Sequence, residues 1–166
     1  MGKLNIRSAR REDIPALARL KYDYVRNLYR GFLPMEVLET VSPHMYEEQF
    51  RTWMDEEHYQ VNTAWEGDTL RAFLVYGENE EEKGVGLLYE GGSDLLFSTE
   101  DKRVHLGSVL DQLRGMGFST VHLWILRDNF RVRVVFESLG FRPDGARRTR
   151  IENDQELVLT RYIYNL

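Results

Sequence analysis

The sequence predicts an α/β domain built on a mixed sheet. Three observations predict it. Segments patterned as strands and helices follow one another as strand, helices, three strands, helix, strand, helix, two strands. One strand segment, "TVHLWIL" from Thr120 to Leu126, is mostly apolar and reads as covered on both faces. The 166 residues, 42% hydrophobic and 30% charged, can bury a core and have the balance of a globular chain.

Each element has its own signal. "KLNIRSA" reads as the first strand. Asp13, then Pro15 in the first turn, starts a helix, and Leu17, Leu20, Tyr24, Val25 and Leu28 recur at helical spacing. "RGFLP" breaks it, and Pro34 opens a short helix to about Val41. Ser42-Pro43 starts another, whose stripe is Tyr46, Phe50, Trp53 and Met54; core packing is its simplest role. Val61, Thr63 and Trp65 alternate as a strand, "EGD" turns the chain, and "TLRAFLVYGE" (Thr69 to Glu78) returns. "NEEEKG" is a charged hairpin tip, read as a solvated loop. "VGLLYEGG" (Val85 to Gly92) is the next strand. A helix follows from about Thr99 to Arg114, with Leu106, Val109, Leu110 and Leu113 on one face, and "GMGF" ends it. After Thr120 to Leu126, Asn129 to Leu139 is a short helix stopped by Gly140. "ARRTRI" and "ELVLTRYIY" flank the turn "ENDQ" as a terminal hairpin. No repeat, linker or low-complexity tract divides the chain, so one domain over residues 1–166 is expected.

Composition excludes several classes. A net charge of −5 argues against a general nucleic-acid binder. The chain has no cysteine, which removes disulfides, thiolate zinc sites and cysteine nucleophiles. His44, His58, His105 and His122 have no metal-ligand spacing, so no metal is expected; His122 reads as a satisfied sheet histidine. No Ser-His-Asp arrangement or Gly-rich nucleotide loop is present. The opening "MGKLNIRSARRED" lacks the apolar core of a signal peptide, no run spans a membrane, and Ile6 does not fit a myristoylation signal at Met1-Gly2. A cytoplasmic protein with no membrane partner is the expectation.

One stretch carries more. "LWILRDNFRVRVVFESLGFRPDGARRT" supplies a strand, Asp128-Asn129, a helix, Val135-Phe136, Glu137 and Leu139-Gly140-Phe141. "IRSARREDIPALARL" and "YRGFLPMEVLETVS" precede it in a matching order. In this order of pieces the chain resembles the GNAT superfamily of N-acetyltransferases over nearly its whole length. The resemblance implies a mostly antiparallel mixed sheet with splayed central strands, flanked by helices. It also implies acetyl-CoA as co-substrate and direct transfer to a small amine in a ternary complex. A homodimer is a common assembly of such folds.

The chemistry of such a site can be stated from the ligand. A pyrophosphate wants free amides at a helix N-terminus, and glycines let backbone come close. Pantetheine amides can pair with a strand edge. A thioester oxygen needs a fixed donor as it becomes an oxyanion. By resemblance, pantetheine lies between the strands Val85 to Gly92 and Thr120 to Leu126, and a backbone amide near Glu90 to Gly92 polarises the thioester. Gly91 and Gly92 mark either a bulge or a tight strand end. Asn129 is placed to bind the pantetheine arm and to cap its helix. Ser98 and Thr99, with Lys102, Arg103 and Arg131, are the candidate phosphate contacts; Arg133 is a further cation nearby. Glu90 is the candidate base. The acceptor side is expected from the helices between Asp13 and Met54 and the terminal hairpin, with Tyr22, Tyr24, Tyr29, Trp53, Tyr162 and Tyr164.

Two departures weigh against catalysis. The family's tyrosine near the sulfur falls at Phe136, which has no hydroxyl. The family's Gln/Arg-x-x-Gly-x-Gly loop falls on "FSTEDK", Phe97 to Lys102, with neither glycine present. There Ser98 and Asp101 have the spacing of a helix capping pair, and Glu100 and Asp101 bring negative charge where a phosphate would sit. The expected consequence is weak acetyl-CoA binding. Two readings stand: an acetyl-CoA-dependent N-acetyltransferase, or a GNAT-fold protein impaired in catalysis that serves as a binding or interaction module.

Overall fold

The computed structural model describes residues 3–30, 34–152 and 154–166. The chain opens with β1 (Leu4–Ser8), a 3-10 turn (Arg11–Asp13), α1 (Ile14–Tyr29), a one-turn α2 (Met35–Leu38) and α3 (Pro43–Asp55). Then come β2 (Tyr59–Glu66), β3 (Thr69–Glu78), β4 (Gly86–Ser93) and α4 (Thr99–Gly115). The chain closes with β5 (Thr120–Leu126), α5 (Phe130–Ser138), β6 (Arg142–Glu152) and β7 (Gln155–Asn165). The expected order of elements is the observed one. Part of the break at "RGFLP", the hairpin tip at residue 153 and the Met1-Gly2 pair lie outside the described residues.

Seven strands form one mostly antiparallel sheet in the order β1-β2-β3-β4-β5-β7-β6. β4 and β5 pair in parallel, over Gly86↔Val121, Leu87↔His122 and Leu88↔Leu123. β5, in contrast, pairs with β7 along its whole length, from Thr120↔Asn165 to Leu126↔Leu159. β7 therefore takes the place between β5 and the edge strand β6.

The chain groups into two compact units, Met1–Val75 with Glu90–Ser98, and Tyr76–Tyr89 with Thr99–Leu166. In the first, α1 buries Leu17, Ala18 and Leu20, and α3 buries Phe50. Phe50 meets Trp53 and Phe73 edge-on, with ring centroids 5.3 and 5.2 Å apart. Ala64, Ala72 and Phe97 form another cluster with Leu4 and Ile6. Asp13 does more than begin a helix. Its buried carboxylate accepts two hydrogen bonds from Arg7 of β1, at 2.7 and 3.1 Å, and one from the Arg10 N–H at 2.7 Å. Burial alone would raise this carboxyl; these bonds and the Arg7 charge outweigh it and hold Asp13 below the usual carboxylate range.

In the second unit Val109 and Leu113 of α4, Val121 of β5, Phe141 and Tyr162 are buried. Phe141 stacks on Tyr164 at 4.9 Å and meets Phe136 edge-on at 5.2 Å. β6 begins earlier than the expected "ARRTRI", because "RPDG" joins the strand. Pro143, Asp144 and Gly145 are turn formers in isolation. On an edge strand the missing proline N–H faces no partner, and the register shift between Pro143 and Arg147, with Gly145 at φ +90°, absorbs the irregularity.

Candidate functional site

In the second unit two helix N-termini carry the residues expected to meet phosphate. α4 opens at Thr99, exposed like Ser98 before it, and α5 opens at Phe130. Asn129 caps α5: its side-chain oxygen accepts the Val132 N–H at 3.3 Å. Lys102, in the first turn of α4, is half-buried. Burial, then the nearby charge of Arg131, push its ammonium below the usual lysine value. Like charges are thus brought together from α4 and α5. Among the described residues neither Lys102 nor Arg131 has a carboxylate partner.

The other expected cations are committed. Arg103 Nε donates to Ser138 Oγ at 3.2 Å, and its Nη1 lies 3.6 Å from Glu100. Arg133 donates to the Tyr162 hydroxyl at 2.9 Å and to the Arg127 carbonyl at 3.0 Å. Tyr162 in turn donates to Glu137 at 2.9 Å. Tyr162 and Tyr164 therefore serve the packing of α5 and of Phe141. Phe136 lies in this aromatic cluster with no hydroxyl to offer.

The same unit holds a charged cluster on the sheet. Arg148 lies over the Trp124 ring at 4.3 Å and Arg161 at 5.8 Å. Arg161 pairs with Asp144 at 2.6 Å, and Arg148 with Glu81 of the "NEEEKG" tip at 2.7 Å. His122 is buried, and its Nδ1 has no hydrogen-bond partner; Glu82 lies 3.7 Å away. The satisfied-histidine expectation is corrected on this point. Burial, followed by the Arg161 charge, lowers the His122 imidazole, so a neutral ring occupies the site.

In the first unit Glu90 meets a residue the sequence reading missed. Lys21 is only 3% exposed, yet it is a basic side chain. Its Nζ lies 2.7 Å from Glu90 Oε1, donates to Gln49, and sits 4.5 Å over Tyr46 and 5.0 Å over Trp53. A carboxylate, an amide oxygen and two aromatic faces compensate the buried charge. The signal was present: Lys21 stands four residues after Leu17 and three before Tyr24, inside the apolar stripe of α1. Tyr46 and Trp53, read as core, are walls of this box.

Gly91 and Gly92 follow Glu90 for reasons of space. A Cβ at Gly91 would lie 2.7 Å from Leu74 Cδ2 and 3.3 Å from the Phe73 carbonyl oxygen. At Gly92 it would lie 2.8 Å from the Phe73 ring and 3.2 Å from Tyr24. Among the described residues no cluster of histidine and carboxylate side chains could hold a metal ion, and no helix is long and apolar enough to cross a membrane.

This is the fold of GNAT-family N-acetyltransferases. The chain is similar to PaiA N-acetyltransferase from Thermoplasma acidophilum in complex with coenzyme A, at 14% identity and TM-score 0.78, covering 99% of both chains. It is similar to ribosomal-protein-alanine N-acetyltransferase from Brucella melitensis, at 19% identity and TM-score 0.77, covering 98% of this chain and 99% of that one. It is also similar to the ribosomal-protein-S18-alanine N-acetyltransferase from Escherichia coli, at 19% identity and TM-score 0.73, covering 98% and 94%. No protein-family model and no curated protein sequence matches the chain.

Proposed function

We propose that the chain is an acetyl-CoA-dependent N-acetyltransferase, working as one domain on a small amine without a covalent enzyme intermediate. The observation that carries this reading is that Lys102 and Arg131, which among the described residues have no carboxylate partner, stand in the first turns of α4 and α5, near enough for the Arg131 charge to lower the Lys102 ammonium. Keeping like charges together is unfavourable unless an anion joins them. A pyrophosphate fits that demand, and the positive ends of the two helix dipoles add to it. The glycine-free "FSTEDK" loop fits it less well, so two side-chain cations take over work that close backbone approach does elsewhere in this fold.

Acetyl-CoA, when bound, supplies a thioester whose acyl carbon accepts the amine. The chain's part is to hold and to move protons. A protonated amine with a pKa near ~10.4 must lose a proton before attack. Glu90 is the base: its side chain is 31% exposed, so one side rests on Lys21 while the other meets solvent and can take a proton through water. An amide of the Glu90–Gly92 segment is the donor for the developing oxyanion. Asn129, beyond its cap, orients the pantetheine arm. Phe136 cannot give a proton to the departing sulfur, so water does. A thiol pKa near ~8.5 makes that step undemanding.

Titration calorimetry with acetyl-CoA tests the reading. Wild-type binding is expected to be micromolar or weaker, with Lys102→Gln and Arg131→Gln each weakening it about ten-fold, the worth of one charge-assisted hydrogen bond. Unchanged affinity in both variants would overturn the assignment of these cations. The second reading, a GNAT-fold binding module, is favoured by Phe136 and by the missing glycines; acetyl-CoA binding without acetylation of any amine would establish it. A homodimer is part of the first reading, and sedimentation analysis would show it.

A further inference from the structure

An open cavity of about 430 Å3 lies in the first unit, between one face of α1 and the residues Ser93–Leu96 that end β4 and lead on from it. Asp23, Arg26, Asn27 and the helix C-cap Arg30 line it at i, i+3, i+4 and i+7, so a single helix face supplies its polar groups. Its carboxylates are engaged elsewhere. Asp94 accepts from Arg71 at 2.7 Å and from the Leu96 and Phe97 N–H groups at 3.0 Å. Asp23 lies 3.5 Å from Arg19, a residue outside the lining. Its arginines are not so engaged. Arg26 donates to the Tyr22 hydroxyl at 3.0 Å. Among the described residues neither Arg26 nor Arg30 pairs with a carboxylate, and the Asn27 amide has no partner. Two guanidiniums thus face a concave site in a chain of net charge −5. Leu95 and Leu96, 80% and 77% exposed, give the site an apolar rim.

We propose that this cavity binds the anionic end of the acyl acceptor, a carboxylate or phosphate on a short apolar body whose other end is the amine. The inference rests on the acyl-transfer reading above. Ser93 stands three residues beyond Glu90 on the same strand, on the order of 10 Å at ~3.3 Å per residue. An amine at Glu90 and an anion beside Arg26 and Arg30 are therefore about as far apart as the two ends of an ω-amino acid or a dipeptide. Guanidinium forks suit either anion, and the Leu95–Leu96 rim suits the methylenes between.

Two measurements test the proposal separately from the acyl-transfer reading. In the first, glutarate, inorganic phosphate and neutral glutaramide are titrated into 15N-labelled protein while the amide signals of Ser93, Asp94, Leu95 and Leu96 and the Asn27 side-chain signal are followed. Saturable shifts are expected with an anion and none with glutaramide. The stronger of the two anions identifies the carboxylate or the phosphoryl source. The Arg26→Gln/Arg30→Gln double variant is expected to weaken binding about ten-fold; circular dichroism and thermal melting confirm that it folds. No shift with either anion, or equal affinity in the double variant, overturns the site. In the second, acetyl transfer to 6-aminohexanoate is compared with transfer to 1-aminohexane. A KM about ten-fold lower for the acid, with the advantage lost in the double variant, is the expected result. Transfer to both amines with equal KM overturns the inference and leaves acyl transfer standing. Anion binding with transfer to neither amine overturns the acyl-transfer reading, and the acceptor assignment with it.

Discussion

The ammonium of Lys21 lies 2.7 Å from the carboxylate of Glu90, with the aromatic faces of Tyr46 and Trp53 on its other sides. The two charges are unequally buried: side-chain exposure is 4% for Lys21 and 31% for Glu90. That difference decides how the pair responds to mutation. Removing the lysine leaves a carboxylate that can turn to water. Removing the carboxylate takes away the charged partner of a side chain that is otherwise held by Gln49 and the rings of Tyr46 and Trp53.

Glu90→Gln is therefore expected to destabilise the protein by more than Lys21→Met does. Breaking a fully buried pair costs about 3–5 kcal/mol, and the exposure of Glu90 brings the expected loss for Glu90→Gln to about 1–3 kcal/mol. Lys21→Met keeps the length of the side chain and its contacts with Tyr46 and Trp53, and should cost less. Urea denaturation of the three proteins measures this. A larger loss in Lys21→Met would show that the pair is not held as described.

The order of elements was legible in the sequence because each element's periodicity is local. Leu106, Val109, Leu110 and Leu113 announce α4 without reference to anything else, and Asn129 announces the start of α5. The start of β6 was not legible, because Pro143 and Gly145 are tolerated there only by virtue of the strand's edge position, a property of the whole sheet. The proposed site was half legible: Glu90, Asn129, Lys102 and Arg131 were candidates from their order along the chain and the family resemblance. That Lys102 comes within reach of the Arg131 charge, while Arg103 goes to Ser138, depends on how α4 packs against α5. Lys21 was passed over because a lysine in an apolar stripe is usually a chain whose end reaches water. Here Gln49 and the rings of α3 keep the end inside.

Phe136 is expected to lower turnover without abolishing it. General-acid catalysis contributes about 10²–10⁴-fold, and a thiol leaving group needs little of it. Phe136→Tyr should raise kcat several-fold at unchanged acetyl-CoA affinity, if the new hydroxyl reaches past the edge-on contact with Phe141. Steady-state kinetics checks it. Activity present and kcat unchanged would place the sulfur away from this ring.

Asp101→Asn is expected to tighten acetyl-CoA binding. Asp101 and Glu100 stand in the first turn of α4, beside the Lys102–Arg131 pair, and would repel an incoming phosphate. Removing one carboxylate lowers that repulsion, and salt screens what it removes, so the gain should be larger at low ionic strength than at high. Calorimetry at two salt concentrations decides. A gain independent of salt would point to a changed helix cap instead.

His105, buried on α4, sets a pH dependence that can be read against its own variant. Burial lowers its imidazole to about 4, so in the folded chain it stays neutral through mildly acid solution. In the unfolded chain an ordinary histidine takes up a proton near ~6.5. Between these two values the unfolded state binds more protons than the folded state. The contribution to stability is therefore complete above about pH 6.5 and falls as pH drops toward 4, by up to about 1.4 kcal/mol per pH unit. His105→Gln cannot take up that proton. Carboxylates held below their usual range, such as Asp13, also weaken the fold in acid, but they do so in both proteins and cancel in the comparison. Urea denaturation at pH 7, 5.5 and 4.5 should show wild type more stable than His105→Gln at pH 7 and the gap closing by about 1–3 kcal/mol at pH 4.5. Parallel curves would mean that His105 takes up its proton equally readily in the folded and unfolded chains, and that burial does not lower its imidazole.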